Sequence, residues 1–158
     1  MSISGKKIAV LMGGPGSERE ISLASGEAVV EALQSCGADA FLLDVRDDSF
    51  EVPEGTDLCF NAIHGTFGED GQLQRILNSR RIPYTGAGAS SSEVAFDKVL
   101  SKKRFIENQV PSPLFELLIV GGDGATPTIS MPLPFVIKPP KEGSSVGVHI
   151  VRPRMTSS

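Results

Sequence analysis

Two kinds of apolar pattern alternate along the N-terminal part of the chain. Residues 7–12, 38–45 and 58–63 are nearly continuous apolar runs, which are typical of strands buried on both faces of a parallel sheet. The positions between the first two runs that follow a helical spacing are Ile21, Ala24, Ala28, Ala32 and Leu33. Strands that alternate with helices predict an α/β fold in which a mostly parallel sheet is covered on both faces.

Polar and glycine residues mark the ends of the first helix. The segment 13–16 (GGPG) ends the first apolar run. Ser17 and Glu20 then have the spacing of a capping box, which predicts that the helix begins there. Gly37 suits the position just after its last turn.

The elements further along show the same signals. A short fourth strand is predicted at 82–85, and Ser90 with Glu93 repeats the capping-box spacing ahead of a helix that carries Lys98. Asp70 is expected to cap the short helix that follows it.

Glycine-rich loops follow several of the predicted strands, at 13–16, 64–71 and 86–88. Ligands of parallel sheets collect at the carboxyl ends of the strands, so these loops predict a binding site at one edge. Glu18 lies beside the first loop and is a candidate to hold a cationic group such as a substrate ammonium. His64 ends the third strand and is a candidate donor to an oxyanion or phosphate oxygen.

The prolines in 110–113 (VPSP) predict a domain boundary, because they stop a helix and stiffen the connection. We therefore predict an N-terminal α/β domain with a connecting helix at 1–109, and a second region at 110–158. Within the second region, residues 114–120 are predicted to form a strand.

Composition narrows the classes of protein. The chain has 158 residues, of which 40% are hydrophobic, and a net charge of −4, which argues against a nucleic-acid-binding surface. Neither a signal peptide nor a run long enough to span a membrane is recognised, so a cytoplasmic location is expected. Cys36 and Cys59 lie in apolar segments without metal or redox spacing and are predicted to be buried, reduced thiols.

Two common nucleotide motifs do not fit. After Gly14 and Gly16, the third position of the dinucleotide fingerprint is Arg19 rather than glycine or alanine, although Asp44 imitates the ribose-binding acid. A nicotinamide or flavin site is therefore disfavoured. A Walker A loop is excluded, because the pattern G-x-x-x-x-G-K-[ST] does not occur.

A different phosphate-binding pattern occurs near the C-terminal end. Residues 134–137 (PFVI) predict a buried strand that ends on Lys138, and a glycine- and serine-rich loop follows. Removing a charged lysine from water costs free energy unless an anionic partner compensates for the lost hydration. The loop with Gly143, Ser145 and Gly147 supplies mobile backbone and hydroxyl donors, so the segment predicts a site for nucleotide phosphates.

Several blocks of residues occur together in a known order: 13–14 with 17–26, 64–65 with 68–74, 83–88, 97–98, and 138–147. In this arrangement the sequence resembles D-alanine–D-alanine ligase, an ATP-grasp enzyme of peptidoglycan precursor synthesis. The resemblance covers essentially the whole chain but only the first half of the family's length. Arg75 departs from the pattern, which usually has a small residue there.

The resemblance implies roles on the amino-acid side. Glu18 would bind the ammonium of the first D-alanine, Ser144 would help to orient Glu18, and His64 would lie near the reacting carboxylate. Glu18 and Ser144 are accordingly the candidate catalytic residues. The implied reaction converts ATP and two D-alanines into D-alanyl-D-alanine, ADP and phosphate.

ATP and Mg²⁺ are the implied cofactors. Lys98 and Lys138 would contact the phosphates, and the loop over the nucleotide would use Gly143, Ser144 and Ser145. The family's magnesium ligands have no counterpart in this sequence, so no metal ligand is predicted.

The resemblance makes 1–109 a Rossmann-like substrate domain and 110–158 the incomplete start of the ATP-grasp central domain. D-alanine and ATP are the expected partners; a homodimer is left open, and neither nucleic acid nor membrane is expected. The chain alone is expected to be inactive. Two other classes stay open: another ATP-grasp carboxylate–amine ligase, and a non-catalytic remnant that binds nucleotide or amino acid.

Overall fold

The computed structural model of the protein describes residues 2–121, 127–143 and 145–153. The chain divides into two compact units, Met1–Phe96 and Asp97–Ser158. The sequence-based boundary at residue 110 placed the connecting helix with the first domain, whereas this division places it with the second unit. The extent of the domains stays a prediction.

The first unit alternates strands and helices, as expected. Its elements are β1 (Lys7–Gly13), α1 (Arg19–Ser35), β2 (Asp39–Val45), β3 (Leu58–Asn61), α2 (Gln72–Ser79) and α3 (Ala89–Phe96). The sheet has the order β2-β1-β3, and both pairings of β1 are parallel. A single parallel bridge between Cys59 and Tyr84 marks the predicted fourth strand. The predicted α/β fold with a parallel sheet is confirmed.

The core is built on both faces of the central strand β1. Successive strand residues point to opposite faces. Ile8 and Val10 therefore pack with Val30 on one side, while Ala9 and Leu11 join the cluster of α2 on the other. Burying a large aliphatic side chain stabilises the fold by about 1.5–3 kcal/mol, so β1 and its two apolar clusters fix the sheet.

Helix α1 turns a different face to the sheet from the one predicted. Its buried residues are Ser22, Gly26 and Val30, whereas Ile21 is 61% exposed. A Cβ at Gly26 would lie 2.6 Å from Met12 Cβ, so the helix approaches the sheet where its residues are small. Close approach, rather than the spacing of the apolar residues, decides the buried face.

The capping boxes are also wrong. The N-cap of α1 is Glu18 rather than Ser17, and it makes no side-chain capping bond. Helix α3 begins at Ala89, so Ser90 lies within it. The N-cap of α2 is Gly71 rather than Asp70, although the Asp70 carboxylate accepts hydrogen bonds from the backbone N–H groups of Gln72 and Phe67. Gly37 has the positive φ of +83° expected just after a helix.

The second unit consists of α4 (Lys98–Glu107) and an antiparallel pair, β4 (Phe135–Ile137) with β5 (His149–Val151). The predicted helix through Lys98 is thus interrupted at Asp97, which caps α4 by accepting from the N–H groups of Val99 and Leu100. A short side chain that satisfies two otherwise unpaired N–H groups starts a new helix.

Among the described residues of the second unit, one predicted strand is absent, and a second, β4, is present but is not buried as predicted. Residues 114–120 form no strand, and Leu114 is 88% exposed, because no described strand pairs with this segment. Residues 134–137 were expected to be buried, but Val136 is 47% exposed and Lys138 is also exposed. A two-stranded ribbon buries little of either face.

The two thiols differ. Cys59 is buried in the sheet, and burial raises its pKa to about 11, which keeps it protonated and unreactive. Cys36 is exposed at the end of α1, so its predicted burial is wrong. Both cysteines are free. Among the described residues, no helix is long and apolar enough to cross a membrane.

Candidate functional site

The loops after β1 and β3 lie against each other at the carboxyl edge of the sheet. A Cβ at Gly14 would come within 2.6 Å of Ile63 Cγ2, and one at Gly16 would lie 3.4 Å from the Thr66 carbonyl oxygen. Gly14 also has a φ of +83°, a conformation that L side chains rarely adopt. Glycine is thus required where the first loop closes on the second.

Glu18 and His64 are brought to the same place, as the sequence predicts. Gly65, which follows His64, has a φ of +66°, and a Cβ there would overlap Glu18 Oε2. The Glu18 carboxylate therefore rests on the backbone next to His64. A carboxylate and an imidazole meet at the edge where parallel sheets bind ligands.

His64 is held by two neighbours. Its Nε2 lies 2.9 Å from Ser25 Oγ, and its Nδ1 lies 3.8 Å from Glu69 Oε1, with the side chain 37% exposed. Ser25 lies within the block 17–26 that carries the resemblance, but it was not predicted as a site residue. The sequence signal for Ser25 is its distance of seven residues, about two helical turns, from Glu18, the N-cap of α1.

The loop that carries His64 is anchored from both ends. The Gly68 carbonyl accepts hydrogen bonds from Asn61 Nδ2 at 2.8 Å and from Gln74 Nε2 at 2.7 Å. Gln74 is 4% exposed, and its Oε1 has no partner in the described part of the chain. Phe67 is buried at a φ of +78°, a strained conformation for a bulky residue that its packing in the core stabilises.

Asp44 has a structural partner that accounts for it. Arg19 donates to Asp44 Oδ2 at 2.8 Å and to the Val45 carbonyl at 3.3 Å. The hydrogen bond from Arg19 holds the pKa of the Asp44 carboxyl below its usual value. Arg19, which breaks the dinucleotide fingerprint, is therefore also the partner of Asp44, the acid that would bind a ribose in a dinucleotide site. This pairing agrees with the prediction that no dinucleotide binds here.

Arg75, the departure from the family pattern, takes part in an ion pair between two helices. Its guanidinium pairs with Glu93 at 2.5 Å, joining α2 to α3. Both side chains are about half exposed, so the ion pair contributes little to stability.

In the second unit, the N-terminus of α4 binds the loop after β4. Lys98 Nζ donates to the Glu142 carbonyl at 2.6 Å, and the Lys98 N–H donates to the Pro140 carbonyl at 3.0 Å. Lys141 Nζ lies 3.6 Å from Asp97 Oδ2. Burial opposes ionisation of Asp97, but bonds from backbone N–H groups and from Lys141 outweigh it and lower its pKa.

The other predicted phosphate ligands lie along the same loop. Lys138 and Ser145 are exposed and Gly143 is partly buried, while Ser144 lies outside the described residues. Lys98 thus contacts the residue next to Gly143, through its bond to the Glu142 carbonyl. Lys138 is exposed to solvent just after β4. Within the described ranges, no group of three or more His, Cys, Asp or Glu residues is placed to hold a metal ion.

Fold and site together define the class. A parallel α/β sheet holds a carboxylate and an imidazole on glycine-rich loops at its carboxyl edge, and a second unit carries lysines on a loop. This combination is typical of α/β proteins that bind small charged ligands.

The family model described as "D-ala D-ala ligase N-terminus" matches residues 45–87. The D-alanine–D-alanine ligase of Methylacidiphilum infernorum is 51% identical over 146 residues, covering 92% of this chain and 46% of the relative. That of Geotalea uraniireducens is 44% identical over 149 residues, covering 93% and 48%. The crystal structure of the Bacillus anthracis enzyme superposes with a TM-score of 0.76 at 31% identity, covering 95% and 50%.

The chain is a homologue of the D-alanine–D-alanine ligases and corresponds to their N-terminal portion. It spans about half the length of the curated relatives it matches. The resemblance found in the sequence is confirmed at this level.

Proposed function

We propose that this chain is the N-terminal portion of an ATP-dependent D-alanine–D-alanine ligase, and that it provides the site for the first D-alanine. The observation that carries the proposal is the Glu18 carboxylate seated on Gly65 beside His64, in a chain 51% identical to a ligase of this name. The ligase forms D-alanyl-D-alanine for peptidoglycan from ATP and two D-alanines.

Glu18 binds the substrate ammonium in this proposal. Opposite charges 4 Å apart attract by roughly 4 kcal/mol at an effective dielectric of 20, which is the regime of a half-buried surface site. His64 lies on the same loop edge and faces the substrate carboxylate. Both groups are fixed by glycine-dependent backbone, so they orient the amino acid before any reaction begins.

ATP is held by the second unit in this proposal. Lys98, Lys138 and the backbone of Gly143 and Ser145 contact its phosphates, and the same role is proposed for Ser144. Lys98 Nζ lies 2.6 Å from the Glu142 carbonyl oxygen of that loop, and the exposed side chain of Lys138 is accessible to a ligand. ATP supplies the phosphoryl group that activates the first carboxylate. Mg²⁺ would be held by residues outside this sequence.

The first test replaces Glu18. We expect D-alanine to bind the chain, measured by calorimetry, and Glu18→Gln to weaken binding about tenfold or more, because hydrogen bonds to charged groups contribute about 1.5–3 kcal/mol. Glu20→Gln is the matched control, since Glu20 is exposed in the same helical turn. Equal affinities of the two variants would contradict the role of Glu18.

The second test asks what the 158-residue polypeptide does by itself. In a coupled phosphate-release assay with ATP, Mg²⁺ and D-alanine, we expect no turnover that depends on D-alanine, since the chain spans only 46% of a ligase relative. D-alanine-dependent turnover would refute this expectation. Turnover with another amino acid would instead favour a different carboxylate–amine ligase, and nucleotide binding without hydrolysis would favour a binding remnant.

We also propose a cytoplasmic location, where ATP and free amino acids are available. A homodimer stays a prediction, and light scattering on the purified chain measures it directly.

A further inference from the structure

Ser25 Oγ makes two short polar contacts, but its hydroxyl has one proton and can donate in one of them. Its Oγ lies 2.9 Å from the Ile21 carbonyl oxygen, one turn back in α1, and 2.9 Å from His64 Nε2. A carbonyl oxygen only accepts, whereas a ring nitrogen of histidine either donates or accepts. Both contacts are hydrogen bonds only when Ser25 donates to Ile21 and accepts from Nε2–H of His64.

This arrangement determines which edge of the imidazole is available. With the proton on Nε2 and directed at Ser25, the Nδ1 edge faces Glu69 Oε1 at 3.8 Å. In the neutral ring Nδ1 carries a lone pair. In the imidazolium Nδ1 carries the second N–H, which faces either the Glu69 carboxylate or an anionic ligand that replaces Glu69.

We propose that Ser25 is a positioning residue for His64. It accepts from Nε2–H in the neutral ring and in the imidazolium, and in the imidazolium this leaves Nδ1–H to donate to the carboxylate of an amino-acid substrate. The part of this inference that concerns substrate rests on the proposed function. The tautomer and the ring orientation do not, since they follow from contacts within the first unit.

The test is the two-bond proton–nitrogen correlation spectrum of the histidine rings in the ¹⁵N-labelled chain, at a pH where the rings are neutral. A His149→Gln variant assigns the two rings. For His64 we expect a protonated Nε2 and a bare Nδ1. Ser25→Ala is expected to shift both ring nitrogens, and Ser25→Thr, which keeps the hydroxyl, to restore them.

Ser35→Ala is the matched control, because Ser35 also bonds a carbonyl within α1 but lies far along the helix from His64. It is expected to leave the ring signals unchanged. A protonated Nδ1 in the unmodified chain, or ring nitrogens that do not move in Ser25→Ala, would overturn the proposal. D-alanine binding plays no part in these signals, so failed binding with the expected spectra refutes only the proposed function.

Discussion

Replacing Ser22 with alanine is expected to lower the free energy of unfolding of the first unit by about 2–4 kcal/mol. Ser22 is fully buried; its hydroxyl donates to the Ala62 carbonyl at 2.7 Å and accepts from the Gly13 N–H at 2.9 Å. Its removal leaves two buried backbone groups unpaired, and each such group costs about 1–3 kcal/mol. Urea unfolding followed by tyrosine fluorescence measures the loss.

The fluorescence reports the first unit alone, because Tyr84 is the single tyrosine of the chain and packs against its core. Ser35→Ala is the control, since Ser35 is exposed and bonds only within its own helix. Its effect should stay within about 0.5 kcal/mol. If Ser22→Ala were no worse than Ser35→Ala, the hydroxyl would not be what joins α1 to the ends of β1 and β3.

The central strand β1 was predictable because it is buried on both faces, whereas β2 lies at the edge of the sheet and is partly exposed. A continuous apolar run such as 7–12 has few alternatives to a central parallel strand. The buried face of α1 was not predictable in the same way. Ser22 and Gly26 are inside because they allow close approach and satisfy backbone groups, and these contacts exist only once β1 and β3 are in place.

The second unit was predicted less well for a related reason. Residues 114–120 are apolar, but a strand needs a neighbour to accept its backbone bonds, and the described residues offer none. Lys138 was expected to lose water on the assumption that its strand was covered. Among residues 127–143 and 145–153, β4 pairs with β5 alone, so the apolar pattern did not determine its burial.

Half of the candidate site could be placed from the sequence alone. Glycine-rich loops at strand ends put Glu18 and His64 at one edge, because parallel strands bring their carboxyl ends together. Ser25 was not predicted as a site residue, because it lies within a helix. Its contact with His64 depends on how α1 packs on the sheet. The roles of these residues toward substrate stay predictions.

Replacing Gly68 with alanine is expected to destabilise the first unit by about 1–3 kcal/mol, the usual cost of forcing an extra carbon into a packed site. A Cβ at Gly68 would overlap the carbonyl oxygen of Ile63 and lie 2.7 Å from its carbonyl carbon. These are backbone atoms of the loop just after β3, so no flexible side chain can give way. Urea unfolding followed by Tyr84 fluorescence again measures the change.

Gly88→Ala separates this contact from the general effect of replacing glycine. Nothing lies within 4 Å of a Cβ at Gly88, and its φ is not positive. It should be neutral or slightly stabilising, because alanine restricts the unfolded chain. Moving Gly68 would also displace the carbonyl that Asn61 and Gln74 bind, so the loop carrying His64 should loosen together with the fold. Equal stability of the two variants would mean that the loop tolerates a Cβ at Gly68 and does not hold His64 rigidly.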